Sequence, residues 1–145
     1  MSEASVYSFA DVTVSITHPL KGAKIADGLG IGKVSTDFTD DLTNSDLGAD
    51  GSVMVTKINS QRGTVDLDIQ QTSSLNKWLI DLANAVVAAP AASWASTTIT
   101  IQEKFPNGIT TTASKVALVK RPSRENGQTG AHVTWRFFSA NMTQV

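Results

Sequence analysis

Gly63-Thr64-Val65-Asp66-Leu67-Asp68-Ile69-Gln70, followed over 73–88 by Ser-Ser-Leu-Asn-Lys-Trp-Leu-Ile-Asp-Leu-Ala-Asn-Ala-Val-Val-Ala, changes its hydrophobic period within a few residues. In the first part Val65, Leu67 and Ile69 alternate with Asp66, Asp68 and Gln70, the period of a half-buried strand with one acidic face. In the second part Leu75, Trp78, Leu79, Leu82 and Val86 recur at spacings of three and four, while Lys77, Asp81 and Asn84 share the opposite side. That pattern predicts an amphipathic helix over about 74–88. Ser73 or Ser74 can cap its start, and Lys77 and Asp81 form an i,i+4 opposite-charge pair. Pro90 ends it, because the proline ring disfavours helical geometry in the residue before it.

Working outward, every other regular segment reads as a strand. Residues 7–16 place Tyr7 and Phe9, then Val12, Val14 and Ile16, at period two, with a slip near Asp11 of the kind a β-bulge produces. Pro19 ends that strand. Residues 33–40 put Val34, Thr36 and Phe38 on one face, and 52–59 connects to 63–70 through Ser60-Gln61-Arg62. Residues 97–105 and 109–119 form a hairpin across Pro106-Asn107-Gly108, and 131–142 shows Val133, Trp135 and Phe137 at period two. Two long loops are expected, at about 20–32 with its glycines and at 41–51, where Asp50-Gly51 suits a turn needing positive φ. The reading is a single domain over 1–145. Its class is mainly β, or α+β in strict terms: a β-barrel or sandwich with one flanking helix.

Composition narrows the function classes. The chain has 145 residues, 12 Lys and Arg against 13 Asp and Glu, and no Cys. That length can bury a core without disulfides or metal. A net charge of −1 excludes a globally basic nucleic-acid binder, and the lack of Cys excludes a thiol nucleophile or zinc–thiolate site. The first residues show neither a basic n-region nor an apolar h-region, and no apolar run reaches the roughly 18 residues of a membrane span. A soluble, non-secreted protein with no membrane partner is expected.

No chemistry converges. The glycines at 28, 30 and 32 are neither preceded by a strand nor followed by a helix, so they do not form a dinucleotide loop. The aspartates between 37 and 50 match no EF-hand spacing. His18 and His132 lack metal-ligand spacing and have no nucleophile to serve. An enzyme is not expected, nor any cofactor or metal.

Charge is divided along the chain. Residues 1–74 carry ten acids and five bases, net −5, while 75–145 carry three acids and seven bases, net +4. Asp40, Asp41, Asp46 and Asp50 form one candidate inter-subunit patch, and Lys115, Lys120, Arg121, Arg124 and Arg136 the other. An acidic patch meeting the basic patch of the next copy is a head-to-tail contact, which closes into a ring or propagates as a filament.

An ordered set of landmarks resembles the tail tube proteins of contractile-tailed bacteriophages. These are Tyr7-Ser8-Phe9-x-Asp11-Val12-Thr13, Gly48-Ala49-Asp50-Gly51-x-Val53-Met54, Gly63-Thr64-Val65 and Gln71-Thr72-Ser73-x-x-Asn76, then Trp94, Lys120-Arg121-Pro122 and Val133-Thr134-Trp135-x-Phe137. The resemblance implies a structural virion protein of the tail, assembled in the host cytoplasm. It would build hexameric rings stacked head to tail into an inner tube, partnered by a tail sheath, a baseplate and a tail terminator. Phage DNA would be delivered through the lumen without specific binding. A basic lumen would act as a brake on DNA, so Asp66, Asp68 and Gln70, with Asp37, are the candidate lumen-facing residues. A type VI secretion-like needle subunit and a monomeric β-sandwich binding module are the alternatives.

Overall fold

The computed structural model describes residues 4, 6–25 and 30–145 of the chain. Nine strands and one helix follow in order: β1 (Val12–His18), β2 (Gly22–Ile25), β3 (Ile31–Phe38), β4 (Thr43–Leu47), β5 (Val53–Lys57), β6 (Gly63–Gln70), α1 (Ser74–Ala88), β7 (Thr97–Glu103), β8 (Thr110–Lys120) and β9 (His132–Gln144). Seven of the strands form one antiparallel sheet in the order β2-β1-β7-β8-β9-β6-β3, and β4 and β5 form a separate two-stranded sheet.

Chain connectivity forces this sheet to curl. Six inter-strand steps would hold β2 and β3 about 29 Å apart in a flat sheet. The segment joining them, residues 26–30, can reach at most about 22 Å from the end of one strand to the start of the other. The result is a half-barrel. Val12 on β1 and Val34 on β3 lie far apart in strand order, yet both line one groove at its mouth together with Tyr7 and Phe9.

The core fills the concave side. Val14, Ile16, Val65, Leu67, Ile69, Ile99, Val133, Trp135 and Phe137 alternate inward along their strands and are buried. Helix α1 adds Leu75, Leu79, Leu82, Ala83 and Val86. It leaves the end of β6 and leads to the start of β7, so it crosses one end of the half-barrel. Ser73 caps it by accepting from Leu75 N–H, and the Lys77–Asp81 pair forms at 3.2 Å, both as the sequence predicts. At the same end His18 is fully buried: its Nδ1 accepts from Leu20 N–H and its Nε2 donates to the Ser93 carbonyl, each at 3.0 Å. We call this the helix end.

Three expectations change. The strand expected over 7–16 with a bulge near Asp11 begins as a 3-10 turn, Phe9–Asp11, because the Ser8 hydroxyl accepts from Ala10 N–H before β1 starts. The loop expected at about 20–32 contains β2, whose backbone pairs with β1; residues 26–29 of that loop lie outside the described residues. The loop expected at 41–51 holds β4, a strand of four polar residues and Leu47 that gains no burial and exists through its ladder to β5. Composition alone hides such a strand. Its turn is the one expected: Gly51 has φ +89°, and Ser52 N–H donates to Asp50 Oδ1 at 3.0 Å.

Candidate functional site

The convex side of β3, β6, β9 and β8 is a largely polar wall, interrupted by Phe138, which stands opposite Thr64 and is exposed. Cross-strand register places Asp37 opposite Thr64, Ser35 opposite Asp66, and Lys33 opposite Asp68. It then places Asp66 opposite Arg136, Asp68 opposite Thr134, Gln70 opposite His132, and Arg136 beside Lys120. Directly opposed residues share a face. Asp66, Asp68, Gln70 and Asp37, the candidate lumen residues, therefore do share one face.

Sequence spacing missed their partners. Arg136 Nε donates to Asp66 Oδ1 at 3.0 Å and its Nη2 to Oδ2 at 3.4 Å, which raises the guanidinium pKa through hydrogen bonding first and charge second. His132 Nδ1 lies 3.3 Å from Asp68 Oδ1. Asp37, Asp66 and Asp68 thus share this face with Lys33, Lys120 and Arg136, so the register-paired residues set three carboxylates against three cations, with Lys115 exposed in β8 outside that register. Two members of the candidate basic patch, Lys120 and Arg136, belong to this wall.

The acidic patch is gathered by the β4–β5 hairpin, which projects where β3 ends and β6 begins. Its base is a clamp. Asp40 accepts from Arg62 Nε at 2.7 Å, from Arg62 Nη2 at 3.1 Å and from the Ser60 hydroxyl. These bonds, Arg62's foremost, hold the Asp40 carboxyl down at a pKa of about 2. Backbone bonds from Thr39 N–H to Arg62 O and from Ile58 N–H to Leu42 O extend the clamp. Asp41, Asp46 and Asp50 are exposed on the arm beyond it, and the Ser52 N–H lowers the pKa of Asp50.

The remaining bases sit elsewhere. Lys115 occupies an irregular position in β8 with φ +52°, whereas Arg121 and Arg124 follow the end of that strand, which Lys120 closes, at the helix end. Arg121 donates to Asn84 Oδ1 on α1 at 2.8 Å. Among the described residues no cluster of three His, Cys, Asp or Glu could hold a metal ion, and no helix is long and apolar enough to cross a membrane.

Comparison with known proteins identifies the family. The family model described as Bacteriophage PhiTE tail tube protein matches residues 4–145. The chain belongs to the phage tail tube family. This tail tube protein matches no curated protein sequence. Its fold is similar to that of the anti-feeding prophage tube-terminating cap, with TM-score 0.63 and 12% identity over 100% of this chain and 94% of that one. It is also similar to a chain of the PVC sheath/tube terminator, at TM-score 0.62, 14% identity and 99% of both chains. A chain of the PVC sheath–tube complex, an extracellular contractile injection system, matches at TM-score 0.58 and 15% identity over 95% and 90%. The tail tube fold thus recurs among contractile injection system proteins at sequence identities too low for pattern matching.

Proposed function

We propose that this tail tube protein assembles into hexameric rings that stack head to tail as the inner tube of a contractile phage tail, and that DNA passes through its lumen. The observation that carries the reading is the open half-barrel. Strands β2 and β3 each pair on one side only among the described residues, and β3 offers eight residues of edge. An exposed edge of that length is a template for another chain, and continuing the sheet into neighbouring copies removes it. The two ends of the molecule differ, with an acidic arm at one and Lys120, Arg121 and Arg124 at the other, which suits heterologous contacts over a two-fold dimer.

The wall of β3, β6, β9 and β8 is the lumen face in this proposal. Its register-paired acids and bases cancel locally, so they offer a passing phosphate backbone little net attraction and release few counterions. A sheath outside the tube, and a baseplate and terminator at its ends, are the expected partners, the virion tail is the location, and the role is structural rather than enzymatic. The fold's likeness to extracellular injection systems favours one second reading: a tube of the same build that conducts protein cargo.

Electron microscopy of the purified protein, alone and with baseplate supplied, tests the assembly. Rings or hollow tubes of uniform bore support it. Particles that stay monomeric even with baseplate return the chain to a monomeric binding module.

A further inference from the structure

We propose that Asn126-Gly127 is a self-modification site, at which the chain's own backbone and water convert asparagine to aspartate and isoaspartate with loss of ammonia. The inference goes beyond the tube reading and does not depend on it.

An asparagine or aspartate followed by glycine can close on itself, because glycine has no Cβ to hinder attack by its backbone nitrogen. The chain has four such steps: Asp27-Gly28, Asp50-Gly51, Asn107-Gly108 and Asn126-Gly127. The first lies outside the described residues. The nucleophile is the glycine nitrogen after loss of its proton, so a glycine N–H held in a hydrogen bond is kept from reacting. Gly51 N–H donates to the Gly48 carbonyl at 3.0 Å, and Gly108 N–H donates to the Phe105 carbonyl at 2.8 Å. Gly108 is also packed in, since a Cβ there would clash with the Glu103 carbonyl oxygen. Asp50 has a second protection. Its ionised carboxylate, which accepts from Ser52 N–H at 3.0 Å, is a poor electrophile.

Asn126-Gly127 has neither restraint. It stands in the exposed stretch 123–130 between β8 and β9. Gly127 N–H donates to no acceptor among the described residues. Beyond its chain neighbours, the nearest atom to a Cβ built on Gly127 is the Thr129 carbonyl oxygen at 4.0 Å. The electrophile, by contrast, is held. Gln71 Nε2 donates to Asn126 Oδ1 at 3.1 Å and to the Glu125 carbonyl at 3.2 Å, while Gln71 Oε1 accepts from Ala131 N–H at 3.0 Å. A donor on Oδ1 stabilises the negative charge that this oxygen takes up when the nitrogen attacks.

The step balances with water alone. Hydroxide removes the Gly127 amide proton, the nitrogen bonds to Asn126 Cγ, and the Cγ–Nδ2 bond breaks. The side-chain nitrogen leaves as ammonia, taking a proton from water. The five-membered succinimide then adds one water at either carbonyl and opens to aspartate or isoaspartate. One water enters and one ammonia leaves, with no oxidation or reduction. The run Arg124-Glu125-Asn126 passes from net zero to −1, close in sequence to Arg121. Isoaspartate also adds a methylene to the main chain at the point that Gln71 holds.

The full chain is kept in mildly alkaline buffer, native and in urea, and mapped by peptide mass spectrometry, with an isoaspartyl methyltransferase marking isoaspartate. In the native chain Asn126 is expected to become an acid, partly as isoaspartate, about tenfold faster than Asn107, because only Gly108 must first break a hydrogen bond. In urea the two asparagines are expected to react within about twofold of each other, since neither glycine is then restrained. Gln71→Glu keeps an acceptor for Ala131 N–H and loses the donor to Asn126. It is expected to slow the native reaction several-fold and to leave the rate in urea unchanged. Native reaction at Asn126 no faster than at Asn107, or aspartate at 126 without isoaspartate, overturns the proposal. A Gln71→Glu chain that reacts as fast as the unaltered one overturns the part given to Gln71.

Discussion

Trp135 Nε1 donates a hydrogen bond to Asn76 Oδ1 at 2.9 Å, with both residues buried, and so ties the middle of the sheet to the first turn of the helix. Asn76 is in turn oriented by its own Nδ2, which donates to the Gln71 carbonyl at 3.2 Å. Removing the amide by Asn76→Leu strands the buried indole N–H of Trp135 without an acceptor. A loss of about 1–3 kcal/mol is expected, measured by denaturant unfolding of the monomer. Trp135→Phe removes the donor and is expected to cost less at the Asn76 end, because Asn76 keeps its bond to Gln71.

The arm's base sets an acid limit. The Asp40 carboxyl is held at about 2 in the folded chain, against 3.8 without its partners. A depressed folded value means the clamp's contribution is complete above pH 4 and is lost as pH falls towards 2. Amide exchange in residues 41–58 is expected to stay slow at pH 4 and to rise below pH 3. In Arg62→Ala, carboxyl NMR is expected to return the Asp40 titration towards 3.8, and the arm to exchange freely at neutral pH.

Gly63 is a packing requirement at the start of β6. A Cβ there would lie 2.6 Å from the Asp37 carbonyl oxygen and 2.5 Å from Met142 Cε. The methionine end can move, whereas the strand carbonyl is pinned by the β3–β6 ladder. Gly63→Ala is expected to destabilise by about 1–3 kcal/mol in thermal unfolding. It also shifts the strand from which the arm springs, so assembly is expected to suffer more than monomer stability.

In the proposed tube, charge on the polar wall is the direct handle on DNA transit. Asp66→Lys with Asp68→Lys takes the register-paired charges from balanced to strongly positive and leaves Arg136 without its carboxylate. Tubes are expected to form, and DNA release from particles carrying the change is expected to slow, most at low ionic strength. Release at the normal rate would remove this wall from the lumen.

Much of the fold was legible because the signals were local. The period switch at residues 63–88 located β6 and α1 to the residue, since side-chain periodicity, a serine cap and a proline stop all act within a few positions. Strand β4 was not legible, because Thr-Asn-Ser-Asp-Leu has the composition of a loop and its strand character comes from β5 across the turn. The exposed valines of β5, at period two beside an Asp-Gly turn, were the one signal that could have found the arm.

The sequence by itself determined which face strands β1, β6 and β9 turn inward, where the helix starts and stops, and that acids and bases divide along the chain. Only the tertiary structure decided which charges meet. Asp66 and Arg136 are 70 positions apart and read as members of different surfaces, yet β6 pairs with β9 and joins them. Periodicity fixes a residue's face, which is a local property. Its neighbour across the ladder depends on strand order, and strand order is set by which curled sheet buries the shared core.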